Sequence, residues 1–257
     1  RAGCLALPVR NDPGAPGVNL DGLQLLDPFC QGNALEAERI LAAAGVGVAA
    51  RFCDSTLDQI GHASDFCIQT NPDLASGHGQ ALGTFLGPDA TERTLGRLAT
   101  QYDGVDLDAF GQEKEDAERT ITTACEKYLA RHDPPAVAIF SGFACADFAA
   151  RMLKKHLDAQ ITVVGCRTIA GHSPFRTAGA CFLSEVQELL SGDPPDLILG
   201  SSFERVVCPA AAFVPFTFPL RGMVRLRARP LVGTPGLAAL MDDVLTDCLD
   251  HQHARHR

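Results

Sequence analysis

Short apolar runs alternate with amphipathic segments through the first half of the chain. The amphipathic segments repeat their apolar residues at helical spacing, and Asn33 and Gly45 predict the start and the end of the first helix. The predicted strands are residues 18–26, 46–52 and 66–70, and the predicted helices are residues 34–44, 57–62 and 91–102. Residues 75–86 favour helix or loop, because Gly77, Gly79 and Gly83 interrupt them.

The same alternation returns after Pro134 and Pro135. Predicted strands are residues 136–140, 161–165, 196–199 and 213–218, and predicted helices are residues 116–131, 144–156, 185–191 and 236–251. Residues 180–184 are ambiguous. Pro215 confines the last strand to a sheet edge, because proline cannot donate a ladder hydrogen bond.

Strands that alternate with helices indicate parallel sheets covered on both faces. We therefore predict an α/β fold of two consecutive Rossmann-like, doubly wound domains with mainly parallel sheets. The expected divisions are a linker remnant at residues 1–16, domains at 17–115 and 116–250, and a polar tail at 251–257. Residues 103–117, which are acidic, are expected to form a surface connection between the domains.

Composition narrows the classes of function. The net charge is −9, from 31 acidic and 22 basic residues, which argues against a nucleic-acid partner. No stretch of about 18 apolar residues is present, so we expect no membrane span. The ten cysteines include no CxxC pair, which favours a reducing cytoplasm. The chain starts at Arg1 without a signal peptide, and we expect that its N-terminus is truncated.

Candidate site residues follow the predicted strands of the second domain, where ligands gather in open α/β sheets. We expect them to converge on one crevice, where helix N-termini suit an anionic ligand. These residues are Ser141, Gly142, Cys145, Gly165, Cys166, Arg167, His172, Ser173, Ser201, Ser202, Glu204 and Arg205.

Thiol and imidazole side chains are the candidates for metal or cluster ligands. In the second domain these are Cys145, Cys166 and His172; the alternative is that both cysteines pack at helix–strand junctions. In the first domain, Cys30 and Gly32 lie in the turn 27–33, which is either a ligand site or a plain turn with a helix cap. Cys53 and His78 are weaker candidates of the same kind.

Four segments, in order, resemble the second and third domains of the nitrogenase component 1 superfamily, over residues 17–250. They are residues 18–22 with 35–41 and 45–48, residues 55–60, residues 195–202, and Phe218-Pro219 with Arg229-Pro230, Gly233 and Gly236. The resemblance implies an oxidoreductase subunit that pairs with a sister subunit. It also implies a separate iron protein-like, ATP-dependent reductase that supplies electrons for reduction of a bound substrate.

The resemblance implies an iron–sulfur or related metallocluster, held mainly by an N-terminal domain absent here or by the partner subunit. No iron–molybdenum cofactor is expected, because residues 104–110 lack a cysteine and Val232 occupies the position of the family's histidine. The chain has neither a Walker A nor a G-x-G-x-x-G sequence, so nothing in it predicts that this chain itself hydrolyses ATP or binds NAD.

Two other functions remain open at this point. The chain could be a non-catalytic scaffold for metallocofactor assembly, or a ligand-binding module of the same fold. It could also be a two-domain binder of the periplasmic type, with residues 103–117 as its hinge.

Overall fold

The computed structural model describes residues 17–192, 194–224 and 226–255, with side chains up to residue 251. The linker predicted at residues 1–16 lies outside the described residues, as does the end of the predicted polar tail. The chain divides into two units: unit 1 is Arg1–Ala117 with Ala228–Leu237, and unit 2 is Glu118–Arg227 with Ala238–Arg257. The sequence analysis divides the domains after residue 115. It does not predict that residues 228–237 return to unit 1.

Unit 1 contains a four-stranded parallel sheet in the order β2-β1-β3-β4. The strands are β1 (Gly17–Asp21), β2 (Gly47–Arg51), β3 (Phe66–Gln69) and β4 (Gln80–Thr84). The helices are α1 (Cys30–Ala43), α2 (Leu57–Gly61) and α3 (Pro88–Leu98), and α4 (Asp108–Leu129) begins in this unit. A core cluster that includes Leu20, Leu41, Ile68, Leu98 and Phe110 joins the sheet to α1, α3 and α4.

The first strand and helix differ from their predicted bounds. β1 ends at Asp21, because Gly22 adopts a φ of +80° and the chain turns there. Leu25 and Leu26, predicted to continue the strand, are exposed in this turn. Asn33 does not cap α1: the helix begins at Cys30, and the buried Asn33 side chain accepts hydrogen bonds from Leu231 N (2.7 Å) and Val232 N (3.3 Å). Asn33 therefore holds the returning segment of unit 1.

Two further predictions in unit 1 are wrong. Residues 75–86 contain β4 rather than a helix, and Gly83 within β4 serves close packing, because a Cβ there would lie 2.3 Å from Thr94 Oγ1. The helix predicted at residues 116–131 starts earlier, because α4 begins at Asp108 and buries Phe110. The Asp106 carboxylate accepts a hydrogen bond from Asp108 N at 2.9 Å, which satisfies an N–H at the start of the helix.

Unit 2 contains a five-stranded parallel sheet in the order β7-β6-β5-β8-β9. The strands are β5 (Ala136–Ser141), β6 (Gln160–Cys166), β7 (Thr177–Gly179), β8 (Leu197–Gly200) and β9 (Ala212–Pro215). The helices are α5 (Phe143–Leu157), α6 (Leu183–Leu190) and α7 (Ser202–Val207), and most of α8 (Gly233–Arg255) belongs to this unit.

The predicted class, two consecutive Rossmann-like α/β domains with parallel sheets, is confirmed. β9 lies at a sheet edge, as Pro215 predicts. Helix α7 was not predicted, although Ser201 and Glu204 form a capping box at its start. In the part of the chain that the structure describes, no helix has the length and apolar character to cross a membrane.

Candidate functional site

The carboxyl ends of β6, β5 and β8 are neighbours in the sheet of unit 2, and the direction of winding reverses between β5 and β8. Open α/β sheets bind ligands in the crevice that such a reversal leaves at the carboxyl ends of the strands. Ser141, Cys166 and Ser201 end or follow these three strands. We call Ser141, Arg167, Ser201, Ser202 and Glu204 the unit 2 strand-end site.

Arg167 links the segments of the unit 2 strand-end site. Its Nη2 donates to Ser201 Oγ at 3.1 Å and to Glu204 Oε1 at 2.6 Å, and its Nη1 donates to the carbonyl oxygen of Phe218 at 3.0 Å. Its backbone N–H donates to the carbonyl oxygen of Ser141 at 2.8 Å. Arg167 thus connects the ends of β5, β6 and β8, through its backbone N–H on one side and its guanidinium on the other.

Glu204 is the buried half of this arrangement, with a side chain that is 1% exposed. Its Oε1 faces Arg167, and its Oε2 accepts from Ser201 N at 2.7 Å and from Ser201 Oγ at 2.6 Å. Gly200 leaves room for it, because a Cβ there would lie 3.0 Å from Oε2. These hydrogen bonds and the charge of Arg167 compensate the Glu204 carboxylate for the water that it loses on burial. The guanidinium is therefore held in one orientation, and its charge is balanced within the protein.

The remaining polar candidates of unit 2 lie on connecting segments. Ser202 Oγ accepts from Arg221 N at 2.6 Å, which ties residues 219–221 to α7. His172 is exposed on the loop after β6, where Ser173 Oγ donates to Asp147 Oδ1 at 2.6 Å. Exposed apolar side chains also follow the strands, namely Ile169, Phe182, Phe203 and Phe218. The site thus combines an oriented guanidinium and hydroxyls with apolar surface.

The two cysteines predicted as metal ligands in unit 2 are both buried. Cys145 is 4% exposed on α5, and Cys166 is 2% exposed, with its Sγ donating to Val164 O at 3.5 Å. Among the described residues, no three or more His, Cys, Asp or Glu side chains are grouped to hold a metal ion. The donor set of these residues does not fit an iron–sulfur cluster, so we assign none of its chemistry to them. The ligand roles of Cys30, Cys145 and Cys166 stay predictions.

The corresponding edge of unit 1 is built around Asp21, the last residue of β1. Its carboxylate is buried and accepts from Gly22 N (2.7 Å), Ser76 N (2.9 Å), Ser76 Oγ (3.1 Å) and Gly77 N (3.2 Å). Gly22 permits this fold, because a Cβ there would lie 2.3 Å from the carbonyl oxygen of Asn71. The loop that carries His78 is therefore pinned across the end of β1.

Asp27, Cys30 and Cys53 form a second group at this edge. Asp27 Oδ1 accepts from Phe29 N at 3.0 Å and Oδ2 from Asn71 Nδ2 at 3.2 Å, while burial raises the pKa of the Asp27 carboxyl. Burial, followed by the neighbouring Cys53, raises the pKa of Cys30 to about 11.

Gly32, predicted to allow close approach of a ligand, is in close contact with the chain itself. A Cβ at this position would lie 2.1 Å from the carbonyl oxygen of Arg229. The space beside Gly32 is therefore filled by the returning segment 228–237. Its role in ligand binding stays a prediction.

Sequence reasoning missed Asp21, Asp27 and Asn71. Asp21 follows the apolar part of β1 directly, and Asn71 comes two residues after the end of β3. Polar residues at the ends of strands are a signal for strand ends that meet at a switch point. Asp27 carried no such signal, because its position depends on the long turn between β1 and α1.

Comparisons with known proteins agree with this architecture. The family model described as nitrogenase component 1 type oxidoreductase matches residues 11–249. A solved structure described as "Nitrogenase Cp1 at pH 6.5" is similar with a TM-score of 0.74 and 14% identity, over 96% of this chain and 63% of that chain. The chain thus spans less than two thirds of that nitrogenase chain, and the likeness shows the fold alone. A comparison with curated protein sequences found no match.

Proposed function

Because the chain belongs to the nitrogenase component 1 type oxidoreductase family, we propose that it acts in an oxidoreductase subunit that takes electrons from an ATP-dependent iron–sulfur reductase and reduces a bound substrate. The observation that carries this proposal is the family match over residues 11–249, which runs through both parallel sheets. We propose that the protein works in the cytoplasm, where thiols are kept reduced.

The proposed assembly includes a sister subunit of the same family. We place the metallocluster mainly in that subunit or in a domain that the described residues do not include. We base this division on the burial of the candidate thiols: Cys145 and Cys166 are buried, and burial raises the pKa of Cys30 to about 11. When bound, a cluster of this kind supplies one-electron transfer. The residues of this chain would shape the substrate's surroundings.

The unit 2 strand-end site is the proposed place of substrate contact in this chain. Arg167 is held in one orientation by Glu204 and Ser201, so a substrate acceptor group would meet a donor that needs no rearrangement. Exposed Phe182, Phe203 and Phe218 would supply apolar contact to the rest of the molecule. An apolar organic substrate with acceptor groups fits these features better than a small ion does.

Electron transfer can be tested without knowing the substrate. The whole subunit would be purified anaerobically with its sister subunit and mixed in a stopped-flow instrument with the reduced iron protein of the same organism. We expect the visible absorbance of the iron protein to show its oxidation after MgATP is added. A non-hydrolysable ATP analogue and omission of the subunit are the controls.

The same experiment separates the enzyme from an assembly scaffold. A scaffold would purify with a cluster or its precursor and leave the iron protein reduced in the presence of MgATP. That outcome would contradict the proposed electron transfer.

A further inference from the structure

A cavity of about 60 Å³ lies between α1, α3 and the start of α4, and all the residues that line it belong to unit 1. Its floor is apolar, because Ile40, Leu95 and Phe110 are buried there. Ala43 and Ala109 lie at exposed positions beside it, and their short side chains leave space between α1 and α4. A water-sized group needs about 15 Å³ of such space, so the cavity has room for about four non-hydrogen atoms of a ligand.

The charged residues that line the cavity are Arg39, Asp106 and Glu113. The guanidinium of Arg39 is already balanced, because its Nε and Nη2 donate to Glu36 at 2.9 and 2.7 Å, and Nη2 also donates to Glu113 Oε1 at 2.8 Å. Two carboxylates thus share one cation, and Asp106 adds a further negative charge. An anionic ligand would be repelled by this excess of negative charge, whereas a cationic ligand would be attracted.

The end of helix α1 favours the same sign of ligand charge. Ala43 is the last residue of α1 and lines the cavity together with Ala44. The C-terminal end of a helix carries partial negative charge, and the last turn of α1, residues 40–43, has no basic side chain to balance it. The start of α4 would favour an anion, but the Asp106 carboxylate already accepts from Asp108 N at 2.9 Å there. The preference of α1 for a cation is therefore left unmet.

We propose that this cavity binds a short aliphatic primary amine in its protonated form. The carbon chain contacts Ile40, Leu95 and Phe110, and the ammonium group lies at the opening, beside the carboxylates of Asp106 and Glu113. An alkylammonium group such as that of lysine has a pKa of about 10.4, so the ligand is charged near neutral pH. Its three N–H donors need acceptors, which the carboxylate oxygens supply. This binding is separate from the proposed contact with a substrate in unit 2.

A titration with n-propylammonium chloride tests the proposal. The full chain would be isotope-labelled, and its backbone amide signals would be followed by NMR at constant pH and ionic strength. We expect saturable shifts at the amides of Ala43, Ala44 and Ala109, which line the cavity. Propionate, which has a similar size and the opposite charge, is the matched control ligand and should bind about fivefold more weakly.

Two substitutions locate the site. Ala109→Leu should weaken binding of the amine about tenfold, because the larger side chain takes the space of about two ligand methylene groups. Ala42→Leu, at an exposed position of α1, is its control and should leave binding unchanged. Asp106→Asn keeps an acceptor for Asp108 N but removes the charge, so binding should weaken about threefold. Glu115→Gln, at an exposed position of α4, is the control for that change.

Three outcomes would overturn the proposal. They are a titration in which no amide shift saturates, propionate binding as tightly as n-propylammonium, and Ala109→Leu binding the amine as well as the unaltered chain does. The amide spectrum also shows whether each variant is folded. Because no iron protein or ATP is involved, these outcomes are independent of the proposed electron transfer.

Discussion

The two sheets reverse direction in the same way, yet their carboxyl edges are built differently. In unit 1, residues 22–29 separate β1 from α1, whereas in unit 2 only Gly142 separates β5 from α5. The long turn of unit 1 brings Asp27 to the edge and leads to Cys30 at the start of α1. The short turn of unit 2 leaves its edge to Arg167, which follows the neighbouring strand. The two edges thus differ both in the length of the turn after the first strand and in the side chains that occupy them.

The two edges also compensate buried carboxylates by different means. Asp21 in unit 1 is stabilised by backbone N–H groups and a hydroxyl of a loop. Glu204 in unit 2 is stabilised by the guanidinium of Arg167 and by Ser201. Loss of Glu204 would leave a cation without its counter-charge, whereas loss of Asp21 would release neutral donors. Removing the carboxylate should therefore destabilise the protein more at the unit 2 edge than at the unit 1 edge.

The largest effect is expected for Glu204→Ala. Removing one partner of a buried pair leaves the other charge uncompensated, so the free energy of unfolding should fall by about 3 kcal/mol. Urea denaturation followed by circular dichroism measures this loss. Glu188→Ala, at an exposed position of α6, is the matched control and should change the value by less than about 0.5 kcal/mol. If Glu204→Ala lowers the free energy of unfolding no more than Glu188→Ala does, Arg167 is stabilised without Glu204.

A smaller loss is expected for Asp21→Ala in unit 1. The change removes charge-assisted hydrogen bonds to Ser76 and Gly77, so unfolding free energy should fall by about 2 kcal/mol. Hydrogen exchange should show faster exchange at these two amides, because the loop loses its acceptor. Asp54→Ala is the control, since the Asp54 side chain is 74% exposed. Unchanged protection at Ser76 would contradict the role of Asp21 in pinning the loop.

Much of the fold could be predicted from the sequence, because buried parallel strands are continuous apolar runs. Residues 136–140 and 161–165 lie within β5 and β6 for this reason. The prediction was wrong where tertiary contacts overrode local signals. Asn33, a good cap by type, lies inside α1 because the returning segment needs an acceptor. Gly83, a helix breaker by type, lies in β4 because Thr94 packs against it.

The unit 2 strand-end site could be predicted in part, because residues that follow parallel strands must share an edge. Ser141, Arg167, Ser201 and Glu204 are joined by hydrogen bonds there. The hydrogen bond between Asn71 and Asp27 could not be predicted, because it depends on the path of the long turn in unit 1. No local pattern records that path.

The smallest expected effect concerns Asp27 and is a dependence on pH. Burial raises the pKa of the Asp27 carboxyl above its usual value of 3.8, and Asp73 acts in the same direction, while the Phe29 N–H and Asn71 oppose it. The folded protein therefore holds this proton more tightly than the unfolded chain does. Its contribution to stability is complete below the unfolded pKa and is lost as pH rises through the folded pKa.

Asp27→Asn isolates this contribution, because the amide carries no titrating proton. The unfolding free energy of the variant, minus that of the unaltered protein, should increase as pH rises through the folded pKa of Asp27 and then level off. Urea denaturation at a series of pH values measures the difference, and Asp54→Asn, at an exposed side chain, should show no such rise. A difference that falls with rising pH would mean that the ionised carboxylate is the form favoured by folding. Hydrogen bonds from the Phe29 N–H and Asn71 would then outweigh burial.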